Sequence, residues 1–113
     1  MHEMSICESL LQIIEEQAAQ HGFSKVLRVR LEIGPLAGVE TEALRFCFDA
    51  VCRDSVAEGA ELEILAPPVT GWCMDCAQQV DVRERFGPCP RCGGHRVHVE
   101  GGRELRIMDL EVE

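Results

Sequence analysis

Apolar residues recur at helical spacing between Met4 and His21, at Ile6, Leu10, Ile13, Ile14 and Ala18, with Leu11 flanking the stripe. Ser5 fits an N-cap with Glu8 as its capping-box partner, and Gly22 fits a C′ stop. The pattern predicts an amphipathic helix. From Val26 to Ile33 it switches to alternation, with Leu27, Val29, Leu31 and Ile33 on one face and Arg28, Arg30 and Glu32 on the other. That is a half-buried strand, broken at Gly34-Pro35. A second helix is predicted from about Glu40 to Arg53, burying Leu44, Phe48, Val51 and Cys47. Glu61 to Leu65 reads as a strand with Leu62 and Ile64 inward, and Pro67-Pro68 ends it. Glu104 to Val112 alternates again, but its apolar phase slips between Ile107 and Met108, which implies a bulge or two partly covered faces.

The order is α-β-α-β, an insert, then β. A helix joining two strands of one sheet favours a parallel pair, and the last strand can return antiparallel. The expected fold class is α+β: two helices on a small mixed three-stranded sheet, interrupted by an inserted module. Expected boundaries are 1–68 plus 103–113 for the α/β body and 69–102 for the insert.

Composition narrows the class. Of 113 residues, 46% are hydrophobic and 27% charged, enough apolar surface for a core and too much for a disordered chain. The net charge of −9 and an aromatic content of 4%, with no Tyr, argue against nucleic acid as a partner. No apolar run approaches the roughly 18 residues of a membrane span, and the opening Met-His-Glu-Met-Ser has no signal-peptide character. The expectation is an acidic, soluble, cytoplasmic protein. The insert's Arg83, Arg85, Arg91 and Arg96 balance Asp75, Asp81, Glu84 and Glu100, so the negative charge belongs to the body.

The insert also holds four of the seven Cys. Cys73 and Cys76, then Cys89 and Cys92, form two C-x-x-C pairs with twelve residues between them. Each pair can turn two thiolates toward one point, and two such knuckles make the closed tetrahedral S₄ cage of structural zinc. Gly93 and Gly94 supply the tight turn after the last Cys. A segment of about 34 residues with little aliphatic content needs such a staple. A thioredoxin-like dithiol would need one pair at a helix N-terminus, and a second pair would be redundant. An iron–sulfur cluster fits the even spacing and the glycines less well. A zinc ribbon held by four cysteines is the strongest reading in the chain.

His2 opens a second metal chemistry. A bulky second residue generally blocks removal of Met1, so the α-amine, the His2 amide nitrogen and the His2 imidazole can wrap one ion in fused chelate rings. Glu3 can add its amide or its carboxylate as a fourth donor. Planar amine, amide and imidazole nitrogens select Ni²⁺ or Cu²⁺. On residues alone, a frayed terminus with a chance histidine is the favoured account of His2 and the chelate the lesser one. Cys7, Cys47 and Cys52 read as core or half-buried thiols, and His21 suits a helix C-terminus without further function. His95 and His98 can each offer one ligand from the insert but, three apart in an extended segment, do not share an ion. No nucleophile–base–orienter set, P-loop or H-E-x-x-H motif is present, so an enzyme is not expected.

Several stretches together closely resemble the HypA/HybF family, the nickel metallochaperones of NiFe-hydrogenase maturation. They are Met1-His2-Glu3, both C-x-x-C pairs, Ile33-Gly34, Val39-Glu40-Thr41, Phe46-Cys47-Phe48, Val51-Cys52 and Ser55 to Gly59. The likeness spans essentially the whole chain. It implies Ni(II) bound at His2, with Met1 and Glu3 as neighbouring donors, and structural Zn(II) on Cys73, Cys76, Cys89 and Cys92. It further implies a HypB-type GTPase as partner and delivery to the hydrogenase large subunit. In some members a histidine of the zinc module joins the nickel site, a role the sequence does not assign to either His95 or His98. The rival reading is a zinc-ribbon protein-interaction module without nickel.

Overall fold

The computed structural model describes residues 2–84 and 86–113. Its elements run α1 (Glu3–His21), β1 (Val26–Ile33), α2 (Thr41–Val51), β2 (Glu61–Leu65), β3 (Val69–Cys73), β4 (Gln78–Val82), β5 (Val97–Val99) and β6 (Leu105–Val112). Two three-stranded sheets result, ordered β2-β1-β6 and β4-β3-β5. The chain divides into two compact units. The first is Met1–Leu31, Val39–Ile64 and Ile107–Glu113, and the second is Glu32–Gly38 and Leu65–Arg106.

The side chains report the strand directions of the first sheet. Arg28 and Arg30 on β1 pair with Glu61 and Glu63 on β2 in the same order, which is a parallel register. The same two arginines pair with Glu111 and Asp109 on β6 in reverse order, which is antiparallel. The sheet is therefore mixed, as its α-β-α-β order led one to expect. These pairs are exposed and screened by water, so they set register more than stability. Burial of Val26, Val29, Leu31, Leu44 and Ile14 drives the folding of this unit.

α1 starts earlier than its capping pattern suggests. His2 is the N-cap, with extended backbone, and its carbonyl accepts from the Ile6 N–H at 3.2 Å. Ser5 therefore lies inside the helix and caps nothing. Gly22 does end it, in the left-handed region at φ 72° with its N–H on the Ala18 carbonyl. The buried stripe is Ile6, Cys7, Leu10, Ile14 and Ala18, while Ile13 is 46% exposed. One residue is about 100° of helix, so a buried stripe centred near Ile14 takes in Cys7 and Ala18 and leaves Ile13, a full step of about 100° from Ile14, outside it. In β1 the inward alternation holds from Val29 to Ile33, but Val26 is buried and Leu27 exposed. Val26 donates its N–H to the Val56 carbonyl at 2.8 Å as the strand begins.

α2 is shorter at both ends than its apolar pattern. Glu40 is its N-cap, the carboxylate accepting from Glu42 and Ala43 N–H, and Cys52 is its C-cap. Leu44 and Phe48 are buried, with Cys47 and Val51 half-buried. On β6 the half-buried positions are Leu105, Ile107 and Leu110, with Met108 and Asp109 both exposed. The inward period thus breaks where the apolar phase slips.

In the second unit two backbones meet. Gly34 N–H donates to the Glu104 carbonyl and Leu36 N–H to the Gly102 carbonyl. A Cβ on Gly34 would lie 2.1 Å from the Gly102 oxygen, while one on Gly22 would meet nothing. Gly34→Ala is expected to cost about 2–3 kcal/mol through backbone displacement, and Gly22→Ala about 1 kcal/mol through its positive φ. Urea denaturation midpoints of the two variants check the order.

Candidate metal centre

The first knuckle is the turn from β3 into β4. Cys73 closes β3, Ala77 N–H returns to the Cys73 carbonyl at 2.8 Å, and Ala77 takes φ 54° to make the reversal. The register pairs Cys73 with Gln78, so Met74 to Ala77 are all that the turn contains. The second knuckle folds on itself. Cys89 N–H donates to the Gly94 carbonyl at 2.7 Å, and Gly93 N–H, at φ 75°, to the Cys89 carbonyl at 2.9 Å. β3 also pairs antiparallel with β5 and thereby draws the chain after Gly94 back beside the first knuckle. Met74 N–H reaches the Arg96 carbonyl at 2.8 Å, and the Arg96 guanidinium grips Asp75 at 2.7 Å.

The result is one cluster of four sulfur atoms, all within 4.8 Å of one another. Cys73 Sγ lies 3.6 Å from Cys92 Sγ, and Cys76 Sγ 3.8 Å from Cys89 Sγ. A tetrahedral site with Zn–S bonds near 2.3 Å has S···S edges of about 3.8 Å, so the cluster suits zinc. Among the described residues no His, Asp or Glu joins it. Its surroundings are apolar, with Val80 and Val97 packed on Cys73 and Cys89.

Electrostatics favours thiolate at Cys89 of the second knuckle, whereas the Cys92 thiol, drawn down by the Gly94 N–H, is pushed up further by burial and the neighbouring thiols. Arg91 and Cys92 N–H groups both point at Cys89 Sγ at 3.4 Å, and Gly94 N–H at Cys92 Sγ at 3.4 Å. Burial pushes the Cys89 thiol up, but the Cys92 and Arg91 N–H groups outweigh it and pull it down to about 7. Cys76 is pushed up to about 12, first by burial and then by hydrogen bonding with the other thiols. A metal ion supplies the positive charge that lets all four ionise together.

The N-terminal candidates lie in the first unit. His2 is exposed, and its side chain makes no cap hydrogen bond to the helix it precedes. Glu3 is half-buried, and its carboxylate accepts from the Glu40 N–H at 3.3 Å, joining the first turn of α1 to the N-cap of α2. Met1 lies outside the described residues. His98 sits on β5 with Glu100 at 3.4 Å, and both His98 and His95 are exposed. The Glu3–Glu40 contact and the Asp75–Arg96 strap escape sequence reasoning, because each joins residues whose proximity only the fold creates.

The remaining thiols are core residues. Cys7 is fully buried and donates to the Leu44 carbonyl at 3.5 Å, and Cys52 is 1% exposed. Among the described residues no helix is long and apolar enough to cross a membrane.

An α+β body joined to a four-thiolate zinc-ribbon module defines a small metal-handling protein. The family model described as "Hydrogenase/urease nickel incorporation, metallochaperone, hypA" matches residues 1–112. The chain belongs to the HypA family, the nickel metallochaperones of hydrogenase maturation. It is 58% identical to the hydrogenase maturation factor HypA of Albidiferax ferrireducens, 56% to that of Alkalilimnicola ehrlichii and 54% to that of Azotobacter vinelandii. Each match covers the whole of both chains. Its fold resembles the solution structure of the Ni metallochaperone HypA from Helicobacter pylori, with a TM-score of 0.68 and 29% identity over 99% of this chain and 97% of that one.

The core thiols carry a pH prediction. Burial holds Cys7 up at about 12, with Cys47 and Cys52 adding to the effect, and holds Cys52 up at about 11. Both would ionise near 9 in the unfolded chain. Folding then binds these protons more tightly, so their stabilisation is complete below pH 9 and is lost as pH rises toward 12. Denaturation midpoints should fall across that window, less steeply in Cys7→Ala.

Proposed function

We propose that this chain carries Ni(II) at its N-terminus and delivers it during maturation of the NiFe-hydrogenase large subunit. The nickel donors are the His2 imidazole with Met1 and Glu3 beside it, and Zn(II) on Cys73, Cys76, Cys89 and Cys92 is structural. A HypB-type GTPase is the partner, and the cytoplasm is the compartment. The working division is a nickel-binding domain of residues 1–68 plus 103–113 and a zinc-binding domain of residues 69–102.

The observation that carries this reading is the state of His2. It stands at the very start of α1 with an exposed imidazole that the helix does not use. The first N–H groups of a helix have no intrahelical acceptor, so the amides of this turn can lose a proton to a metal without breaking the helix ladder. Anionic nitrogen is also favoured at the positive end of the helix dipole. Nickel is cargo, and a terminal chelate can be peeled away one donor at a time toward a thiolate-rich acceptor. A closed S₄ cage has no open position and releases nothing stepwise. The similarity to hydrogenase maturation factors and to a Ni metallochaperone supports the nickel role.

The zinc module supplies fold and no chemistry of its own: the metal, held by four thiolates, substitutes for a hydrophobic core. The chain is accordingly a carrier and not a catalyst.

A nickel titration of zinc-loaded protein with a free N-terminus, beside His2→Ala, tests the assignment. One equivalent should bind the parent and weaken about 100-fold in the variant, with zinc retained in both. Affinity should fall on acidification, because every donor must be deprotonated to bind. Equal weak binding by both proteins would leave a zinc-stapled interaction module. Replacing zinc by cobalt should give the intense visible bands of a tetrahedral tetrathiolate, lost in Cys89→Ser.

A further inference from the structure

The chain has 20 carboxylates against 11 Lys and Arg, so an unpaired guanidinium is the exception. Arg28, Arg30, Arg53, Arg96 and Arg106 all pair with Asp or Glu, and Arg45 donates to the Leu62 carbonyl. Among the described residues, the arginines with neither a carboxylate nor a main-chain carbonyl partner are Arg83, Arg91 and Arg103. All three are exposed, and all three line one cleft of about 890 Å³ in the second unit. Arg91 is held by a neutral partner, the Gln78 side-chain oxygen, so its position is fixed and its charge is not cancelled.

The floor of this cleft is apolar. The register of β4-β3-β5 places Val80 and Val82 on the same face as Val97 and Val99, on either side of Gly71. Val82 and Val97 close over that glycine, where a Cβ would stand 3.0 Å from each. Pro88 and Pro90, which flank Cys89, contribute to the wall, so the thiolate cluster shapes the cleft. Asp81 and Glu84 also line it. A bound anion must therefore meet the guanidiniums in one register and avoid these two.

We propose that this cleft binds a short acidic peptide segment of a partner protein. An apolar side chain rests on the valine floor, and flanking carboxylates engage Arg83, Arg91 and Arg103. Guanidinium and carboxylate match as planar forks, and the apolar floor adds an anchor of the kind that dominates interfaces. An inorganic anion would use the arginines and leave the valines wet; the volume suits a segment several residues long. The surface needs neither His2 nor nickel and stands apart from the nickel reading.

The probe is a fluorescein-labelled peptide, Glu-Asp-Leu-Glu-Val-Glu, titrated by anisotropy with full-length zinc-loaded protein. Its neutral counterpart, Gln-Asn-Leu-Gln-Val-Gln, is run alongside. The acidic peptide should bind, and combining Arg83→Glu with Arg103→Glu should weaken it at least about tenfold at unchanged zinc content. Added salt should weaken it too, and His2→Ala should leave it unaltered. If the charge reversal costs zinc, Arg83→Gln with Arg103→Gln makes the same comparison. Absence of binding, equal affinity for the neutral peptide, or indifference to the arginine changes each overturns the proposal. Displacement by inorganic phosphate as effective as by unlabelled peptide also overturns it, leaving a simple anion site.

Discussion

Four sulfur atoms gathered within 4.8 Å of one another are what the second unit folds around. Packed on the thiols are only Val80 and half-buried Val97, with Ile33 and Leu36 the other buried aliphatic residues of the unit, and so small an apolar content does not offset the entropy of ordering two knuckles and a sheet. The backbone meets the sulfurs halfway. N–H groups at Arg91, Cys92 and Gly94 point at thiols, so part of the desolvation cost of thiolate is compensated before a metal arrives. The thiols differ in this respect: Cys89 leans toward the thiolate, Cys76 and Cys92 toward the thiol. A metal entering the cluster meets a ready ligand at Cys89 and must displace protons from Cys76 and Cys92.

The first unit is stabilised by ordinary burial, and the contrast suits the division of labour proposed above. A nickel carrier needs a site that opens, and the proposed terminal site stands on an exposed helix start. A structural zinc needs a site that does not open. The acidic excess resides on the body, whereas the cationic cleft sits beside the thiols, so charge as well as metal chemistry is partitioned along the chain.

Much of this was legible in the residues. The C-x-x-C spacing predicts the converging knuckles because the motif carries its own local geometry. The α-β-α-β order predicts the mixed sheet because the crossover rule applies to any such chain. What escaped was decided by distant contacts. Periodicity places Ile13 and Ile14 together on a stripe, but packing against α2 leaves Ile13 in water, while Cys7 is buried as its thiol reading implied. Alternation gives Leu27 an inward face that the entry into β1 assigns to Val26. β5 has only three residues, too few for any pattern, and it exists because β3 lies beside it. The meeting of Glu3 with Glu40 joins residues 37 apart in sequence and has no local signature.

Neither unit is a continuous stretch of chain. The first waits for Ile107–Glu113 to complete its sheet, and the second takes in Glu32–Gly38 through bonds to Gly102 and Glu104. During synthesis from the N-terminus, α1, β1 and α2 emerge long before either unit can close. Topologies of this kind, rich in non-local pairings, fold slowly for their size. Closure waits for residues 102–113, so until they emerge Gly34 and Leu36 lack their backbone partners and one edge of β1 stays unpaired. A stretch that carries none of the proposed metal ligands thus controls when both units are complete.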